Sequence, residues 1–388
     1  MSKKIHIHMD IKKYGMVVAL IAITILFQLL TKGVLLAPMN IAKLLMQNGY
    51  ILILAIGMLP IILTGDIDLS VGSVVALVGA VTSVLLVGDT KVPVVVGILV
   101  GLLVGVIIGA WHGFWIAYVK VPAFIATLSG MLLFRGLTLV ITQGKTIGPY
   151  PDSYQYIAQA YLPDIGGAES AHISTLLLGA IIMLAYTLSE ISRRKKEKSY
   201  GFDVSKAGFF IGRLVLMNVL IAFASFWLVR FKGAPIILII LAVLTLVYSF
   251  VTQKTVLGRH IYALGGNERA TELSGIKVKR VKFLTFVNMG LLAAFAGIVY
   301  SARINCANPT AGDGFELDAI AACYIGGASA SGGTGKITGA IIGGLVMGVL
   351  NNGMSIIGVG TDWQKAIKGL VLLAAVVFDI VNQNKKKG

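Results

Sequence analysis

The chain alternates long apolar blocks with short polar joints. Apolar runs at 16–30, 42–64, 70–88, 92–119, 122–142, 172–191, 209–231, 234–253, 282–302, 336–354 and 362–382 are of the order of the roughly 20 residues that a helix needs to cross a hydrocarbon layer. A shorter apolar piece, 317–327, precedes the last two. The pattern predicts an all-α polytopic membrane protein with about ten to twelve crossings, in which 1–388 forms a single transmembrane domain. The short piece and its glycine-rich continuation must cross, or hand the chain over at depth, for the lysines at 385–387 to lie on the cytoplasmic side.

Three joints are long enough to have a character of their own. Residues 143–171, with several prolines and tyrosines, read as a small extracytoplasmic cap; 192–207, containing RRKKEK, as a cytoplasmic basic loop. Residues 255–281 form a polar, basic passage between two apolar runs. In it Gly265 and Gly266 should break the preceding structure, and Asn267 can cap a short helix over 268–274 by accepting orphan backbone N–H groups. Gly275 supplies the stop. Glu268 suits the positive end of that helix, while Ala270 and Leu273, three apart, share an apolar face that two turns cannot bury alone. The passage therefore reads as a knob that needs a partner.

Composition agrees: 57% of residues are hydrophobic and 13% charged, outside the range of soluble domains. The net charge of +16 does not imply nucleic acid, because the lysines and arginines cluster in short joints, as cytoplasmic loops beside an anionic leaflet do. Lys12 and Lys13 ahead of the first run predict an uncleaved first span, with both termini cytoplasmic. Cys306 and Cys323 stand in no metal or CxxC spacing, and neither His112 nor His172 has another histidine or cysteine at metal-ligand spacing. No catalytic constellation appears. GGTGK at 332–336 lacks the first glycine and the hydroxyl residue of a phosphate loop, so no cofactor is expected on this chain.

Gly97, Gly101, Gly105, Gly109 and Gly113 recur every fourth residue, a smooth stripe for close helix packing. A second stripe, Gly335, Gly339 and Gly343 with Gly344 and Gly348, hints at two related halves. GDIDLSVGS, at 65–73, sets Asp66, Asp68 and Ser70 between apolar runs; it reads either as a broken helix lining a polar pathway or as a cap by Asp68 on the helix that follows. Glu316 and Asp318 open an apolar helix, where capping is the simpler reading. Arg135 lies deep in its run and must face protein or water; it is expected to pair with Glu316 or Asp318, the alternative being that it bonds helix-end carbonyls.

These residues together resemble the permease subunits of bacterial ATP-binding-cassette importers for monosaccharides, the ribose, galactose and xylose group. The resemblance rests on GDIDLSVGS, GAWHGFWIAY at 109–118, VPAFIATLSGMLLFRG at 121–136, GRHIYALGGNERATELSGI at 258–276, ELDAIAACYIGGASASGGTGKITG at 316–339 and DWQKAIKG at 362–369. It covers about two thirds of the chain, and AYLPDIGG at 160–167 with the extra middle spans looks most like the xylose and multiple-monosaccharide branch. Tyr324, Ala328 and Ala330 depart from the commoner aliphatic or larger residues.

The resemblance implies an inner-membrane permease, not an enzyme, working as a homodimer with a cytoplasmic ATP-binding subunit, which holds ATP and Mg, and an extracytoplasmic sugar-binding protein. It makes Gly258, Arg259, Gly265, Gly266, Asn267, Glu268, Ala270, Ser274 and Gly275 the segment that couples to the ATPase. Other readings are a permease for nucleosides or branched-chain amino acids, or an ion-coupled secondary transporter using Asp66, Asp68 and Arg135.

Overall fold

Helices follow the apolar blocks, and prolines mark where they begin. Pro38 opens α2, while Pro93, Pro122, Pro151 and Pro235 stand immediately before α4, α5, α6 and α9, where a fixed φ suits helix entry and no N–H is wasted. The computed structural model describes residues 11–89, 91–165, 172–202 and 204–387. Fifteen helices follow in order among the described residues: α1 (Ile11–Leu30), α2 (Pro38–Leu63), α3 (Val71–Val87), α4 (Val94–Ala117), α5 (Ala123–Thr142), α6 (Asp152–Gln159), α7 (Ile173–Ser199), α8 (Ala207–Val229), α9 (Ile236–Lys254), α10 (Val256–Gly266), α11 (Glu268–Leu273), α12 (Val278–Ile304), α13 (Phe315–Ile325), α14 (Ile337–Ile356) and α15 (Thr361–Lys387). Eight of these are long and apolar enough to cross a membrane; the stretch Gly15–Leu30 of α1 and the whole of α3 are shorter apolar segments.

The middle joints differ from expectation. α7 runs on through the basic RRKKEK stretch to Ser199, so the predicted loop at 192–207 shrinks to the turn before α8. Its straight-chain residues are good helix formers, and Arg193 pairs with Glu190 at 2.8 Å and Glu197 at 3.6 Å along the same face, adding local support. Part of the cap, 166–171, and the side chains of Lys12, Lys13 and 385–387 lie outside the described residues; the rest of the cap contains α6.

α2 is the axis of the molecule, with 83% of its apolar window buried; α14 and α12 follow at 72% and 61%, whereas α8 has none and α7 11%. The outer helices turn leucines, isoleucines and phenylalanines outward, as a lipid-facing surface requires. Lipid chains are as apolar as leucine, so cohesion inside the bundle depends on close packing. The glycines supply it. A Cβ on Gly105 would land on Ala294 and the Gly290 carbonyl of α12, one on Gly109 would approach Phe286 and Val287, and Gly97 and Gly101 face Leu86 and Thr82 of α3. The second stripe does the same: Gly339 meets Gly326, Gly343 meets the Ala322 carbonyl and Gly348 meets Asn48.

Two crossings are interrupted. Gly297 packs against Val75 and Ser301 against Gly79, so α3 begins only beside the second half of α12. The preceding joint, non-helical from Asp66 to Ser70, accompanies the first half. α13 is likewise short: Phe315 packs on Tyr50 at 4.4 Å between ring centres, and Cys323 Sγ donates to the Ala55 carbonyl at 3.4 Å, both midway along α2. Joint 326–336 completes that crossing, with Gly335 against Leu59 and the Gly333 N–H donating to the Leu63 carbonyl at 2.9 Å. The N-terminal ends of α3 and α13 meet at Gly72 and Gly312, each standing where the other's backbone would strike a side chain.

Candidate functional site

Residues 255–281 fold into two short helices, each with a polar cap. Thr255 Oγ1 accepts from the Gly258 N–H at 3.2 Å at the start of α10. A Cβ on Gly258 would strike the carbonyls of Val251 and Thr252, which fixes glycine there. α10 then continues through Gly265 and Gly266, so the expected break at the paired glycines falls instead at Asn267, whose φ of −162° leaves the helix. Gly265 is needed for contact: a Cβ on it would land on the Leu63 carbonyl oxygen and lie 2.5 Å from the Gly333 nitrogen.

The second helix matches expectation closely. Asn267 Oδ1 accepts from the Ala270 N–H at 2.9 Å, Ser274 terminates α11 and donates its hydroxyl back to the Ala270 carbonyl at 2.8 Å. Gly275, at φ +82°, turns the chain away. Only Thr271 of α11 is buried; Arg259, Glu268 and Ala270 are exposed and Leu273 is 82% exposed. Among the described residues, none covers the Ala270 and Leu273 face.

A charge cluster ties this knob to the bundle. Lys282 Nζ, near the start of α12, lies 3.1 Å from Glu268 Oε2 and 3.6 Å from Asp66 Oδ2. The Lys282 and Asp66 side chains are only 16% and 14% exposed. Tyr262 of α10 donates its hydroxyl to the Gly335 carbonyl at 2.6 Å. The knob thus touches the joint before α3 and the joint after α13. Sequence reading missed Lys282, because 277–282 is a basic run that reads as an orientation signal alone.

The remaining polar candidates separate. Asp68 is buried and accepts from the Ser70 N–H at 2.8 Å and the Ser70 hydroxyl at 2.6 Å; this is a turn directly ahead of α3, whose N-cap is Ser70 without a side-chain bond. The capping reading for Asp68 is therefore corrected: its carboxylate orders the entry joint. Arg135 pairs with neither Glu316 nor Asp318. Its guanidinium donates instead to the carbonyls of Pro309, at 3.3 Å, and Ala311, in the turn that carries Gly312 towards Gly72. The five-donor fork of arginine suits clustered carbonyls.

Asp318 is 2% exposed and takes a charge-assisted bond from Lys368 of α15 at 2.9 Å, a partner that sequence reading did not find. Neither it nor Glu316 caps α13, whose N-cap is Gly314 at φ +78°. Both lie in its first turn, where negative charge suits the helix end. Glu316 Oε2 stands 2.6 Å from where a Gly72 Cβ would be. Among the described residues no group of three or more metal-ligating side chains forms.

A family model described as the branched-chain amino acid transport system permease component matches residues 40–376, a range that holds both interrupted crossings and the knob. The chain belongs to this permease family. The xylose transport system permease protein XylH of Haemophilus influenzae is 39% identical over 376 residues, 97% of this chain and 98% of that one. XylH of Escherichia coli K12 is 38% identical over 377 residues, 97% and 94% of the two chains. The ribose import permease protein RbsC of Bacillus subtilis is 37% identical over 378 residues, 97% and 95%. No solved structure matches the chain. The permease reading thus extends over the whole bundle, including the α7 and α8 pair.

Proposed function

We propose that the chain is the membrane-spanning subunit of an ATP-driven importer that carries a monosaccharide, xylose or a related pentose, into the cytoplasm. The carrying observation is end-to-end similarity to permeases named for xylose and ribose, joined to a capped knob whose apolar face has no cover among the described residues. The permease would work as a homodimer in the inner membrane, with both termini and α10 and α11 in the cytoplasm, and with 143–171 facing the sugar-binding protein. Energy comes from a separate ATP-binding subunit, which holds ATP and Mg and seats α11. Its closure would move the two knobs together and shift the bundle between outward-open and inward-open arrangements.

An ion-driven carrier fits the geometry less well. Asp66 is held by Lys282, Asp68 by Ser70 and Arg135 by backbone carbonyls, so the groups such a carrier would load are engaged in structural contacts. The family's amino acid description is the second reading, and substrate choice separates it.

The test is uptake into vesicles that hold the permease with its ATPase and binding protein. Radiolabelled xylose or ribose should accumulate only with ATP, and leucine should not. Ala270→Trp should abolish both ATPase association and uptake while leaving a folded permease, because an indole on that face blocks seating. Leucine uptake, or uptake that survives omission of the ATPase, would replace this reading with one of the two rivals.

A further inference from the structure

We infer that Lys282 is the link through which movement of the α10 and α11 knob reaches the interrupted crossing that Asp66 leads into, acting as a positioning residue for coupling and not for docking. This rests on the proposed seating of α11 on an ATPase. A helix of two turns cannot drive anything unless it is tied to something stiff, because isolated helices of that length are themselves marginal. α11 is tied through Glu268 to Lys282, 3.1 Å away. Lys282 stands at the start of the long, largely buried α12, and its other neighbour is Asp66 at 3.6 Å, in the non-helical joint that leads into α3.

The second crossing is reached at the same place. α10 packs Gly265 against the Leu63 carbonyl and the Gly333 nitrogen, and Tyr262 donates to the Gly335 carbonyl at 2.6 Å. The Gly333 N–H itself bonds the Leu63 carbonyl at 2.9 Å. Joints 64–70 and 326–336 therefore meet under the knob, although they come from opposite thirds of the chain. Non-helical joints lack the continuous hydrogen-bond ladder of a helix and deform first when pushed. Each carries a short helix, and the two helices abut at Gly72 and Gly312. A displacement of Glu268 would pull Lys282 and Asp66 with it and shift the contact where α3 and α13 meet.

Lys282 is placed for this by its charge. Its ammonium is flanked by two carboxylates; the Lys282 and Asp66 side chains are 16% and 14% exposed, so that attraction is less screened than in a surface pair, whereas Glu268 is 55% exposed and ties the knob mainly by geometry. The exposed docking face is Ala270 and Leu273, which Lys282 does not share.

The experiment uses the complete transporter, permease with ATPase and binding protein, in vesicles. Lys282→Gln should lower sugar-stimulated ATP hydrolysis and sugar uptake by about tenfold, while the ATPase still co-purifies in wild-type amount. Lys282→Arg should restore coupling. Asp66→Asn should fall on the same pathway, so the double variant Asp66→Asn with Lys282→Gln should be no worse than Lys282→Gln alone. Stimulation within about twofold of wild type in Lys282→Gln would overturn the inference. So would loss of ATPase co-purification in that variant, which would make Lys282 a docking residue and leave the importer reading standing. A Lys282→Gln protein that does not fold is judged by Lys282→Arg and Asp66→Asn, and normal coupling in Asp66→Asn overturns it. Failure of the underlying reading has a different signature: Ala270→Trp would retain both co-purification and stimulation.

Discussion

Asp318 and Lys368 set the stakes at the residue scale. The carboxylate is 2% exposed and its partner ammonium sits 2.9 Å away with 22% exposure, while the second carboxylate oxygen, Oδ1, is buried. A buried pair of this kind adds little beyond a well-packed apolar pair, but removing one member strands the other, at a cost of about 3–5 kcal/mol. Lys368→Met should therefore lower the melting temperature of the purified permease sharply, and the double variant Lys368→Met with Asp318→Asn should regain most of the loss. Scanning fluorimetry in detergent reads both. Equal losses for the single and the double would assign the effect to packing of the lysine stem. Arg135 illustrates the opposite arrangement. Its guanidinium bonds backbone carbonyls of the 309–311 turn, the alternative that carbonyl bonding offered to an ion pair, although the sequence does not say which carbonyls.

At the scale of elements the glycine stripe on α4 is the sharpest case. A Cβ on Gly105 would overlap Ala294 and the Gly290 carbonyl oxygen, and Gly290 meets the Gly105 carbonyl in return. Backbone cannot move aside as a flexible side chain can. Gly105→Ala should cost about 1–3 kcal/mol by overpacking and Gly105→Leu more, seen as successive falls in melting temperature; wild-type stability in both would mean that α4 does not contact α12.

This stripe was legible because a period of four along an apolar run has one structural meaning. Asn267 and Gly275 were legible for a related reason, since cap and stop chemistry acts within four residues of chain. The end of α7 was not. A basic stretch satisfies a loop and a solvent-reaching helix equally well, and Glu190 with Arg193 decides between them only once the helix exists. Nor could the depth at which α3 and α13 begin be read, because it is fixed by Gly72 against Gly312 and by the Gly333 bond to Leu63, contacts between segments far apart in sequence. Lys365 and Lys368 looked like part of a motif, and only the packing of α15 beside α13 gives Lys368 its carboxylate.

At the scale of the whole molecule, the two ends of the bundle are chemically distinct. One end gathers the knob, the Lys282 cluster, the joints that complete the interrupted crossings and the basic end of α7. The other gathers α6 and the turn held by Arg135. An interrupted helix leaves backbone groups without helical partners, which is tolerated within a membrane only where protein or water satisfies them; here the joints satisfy one another and the knob. That places the deformable parts of both crossings against the end where force would arrive, so the direction in which the chain sits in the bilayer is part of the mechanism. The charge distribution predicts that the knob end is cytoplasmic. One added cysteine in a Cys306→Ser background, where the remaining Cys323 is buried, can decide it. Tyr200→Cys, beside the basic end of α7 and 75% exposed, and Ile165→Cys, in the cap and 77% exposed, should react from opposite sides with a membrane-impermeant maleimide. The first is expected to label only in inside-out vesicles and the second only in right-side-out ones. The reverse pattern would put α11 on the side of the sugar-binding protein, and no ATPase could then reach it.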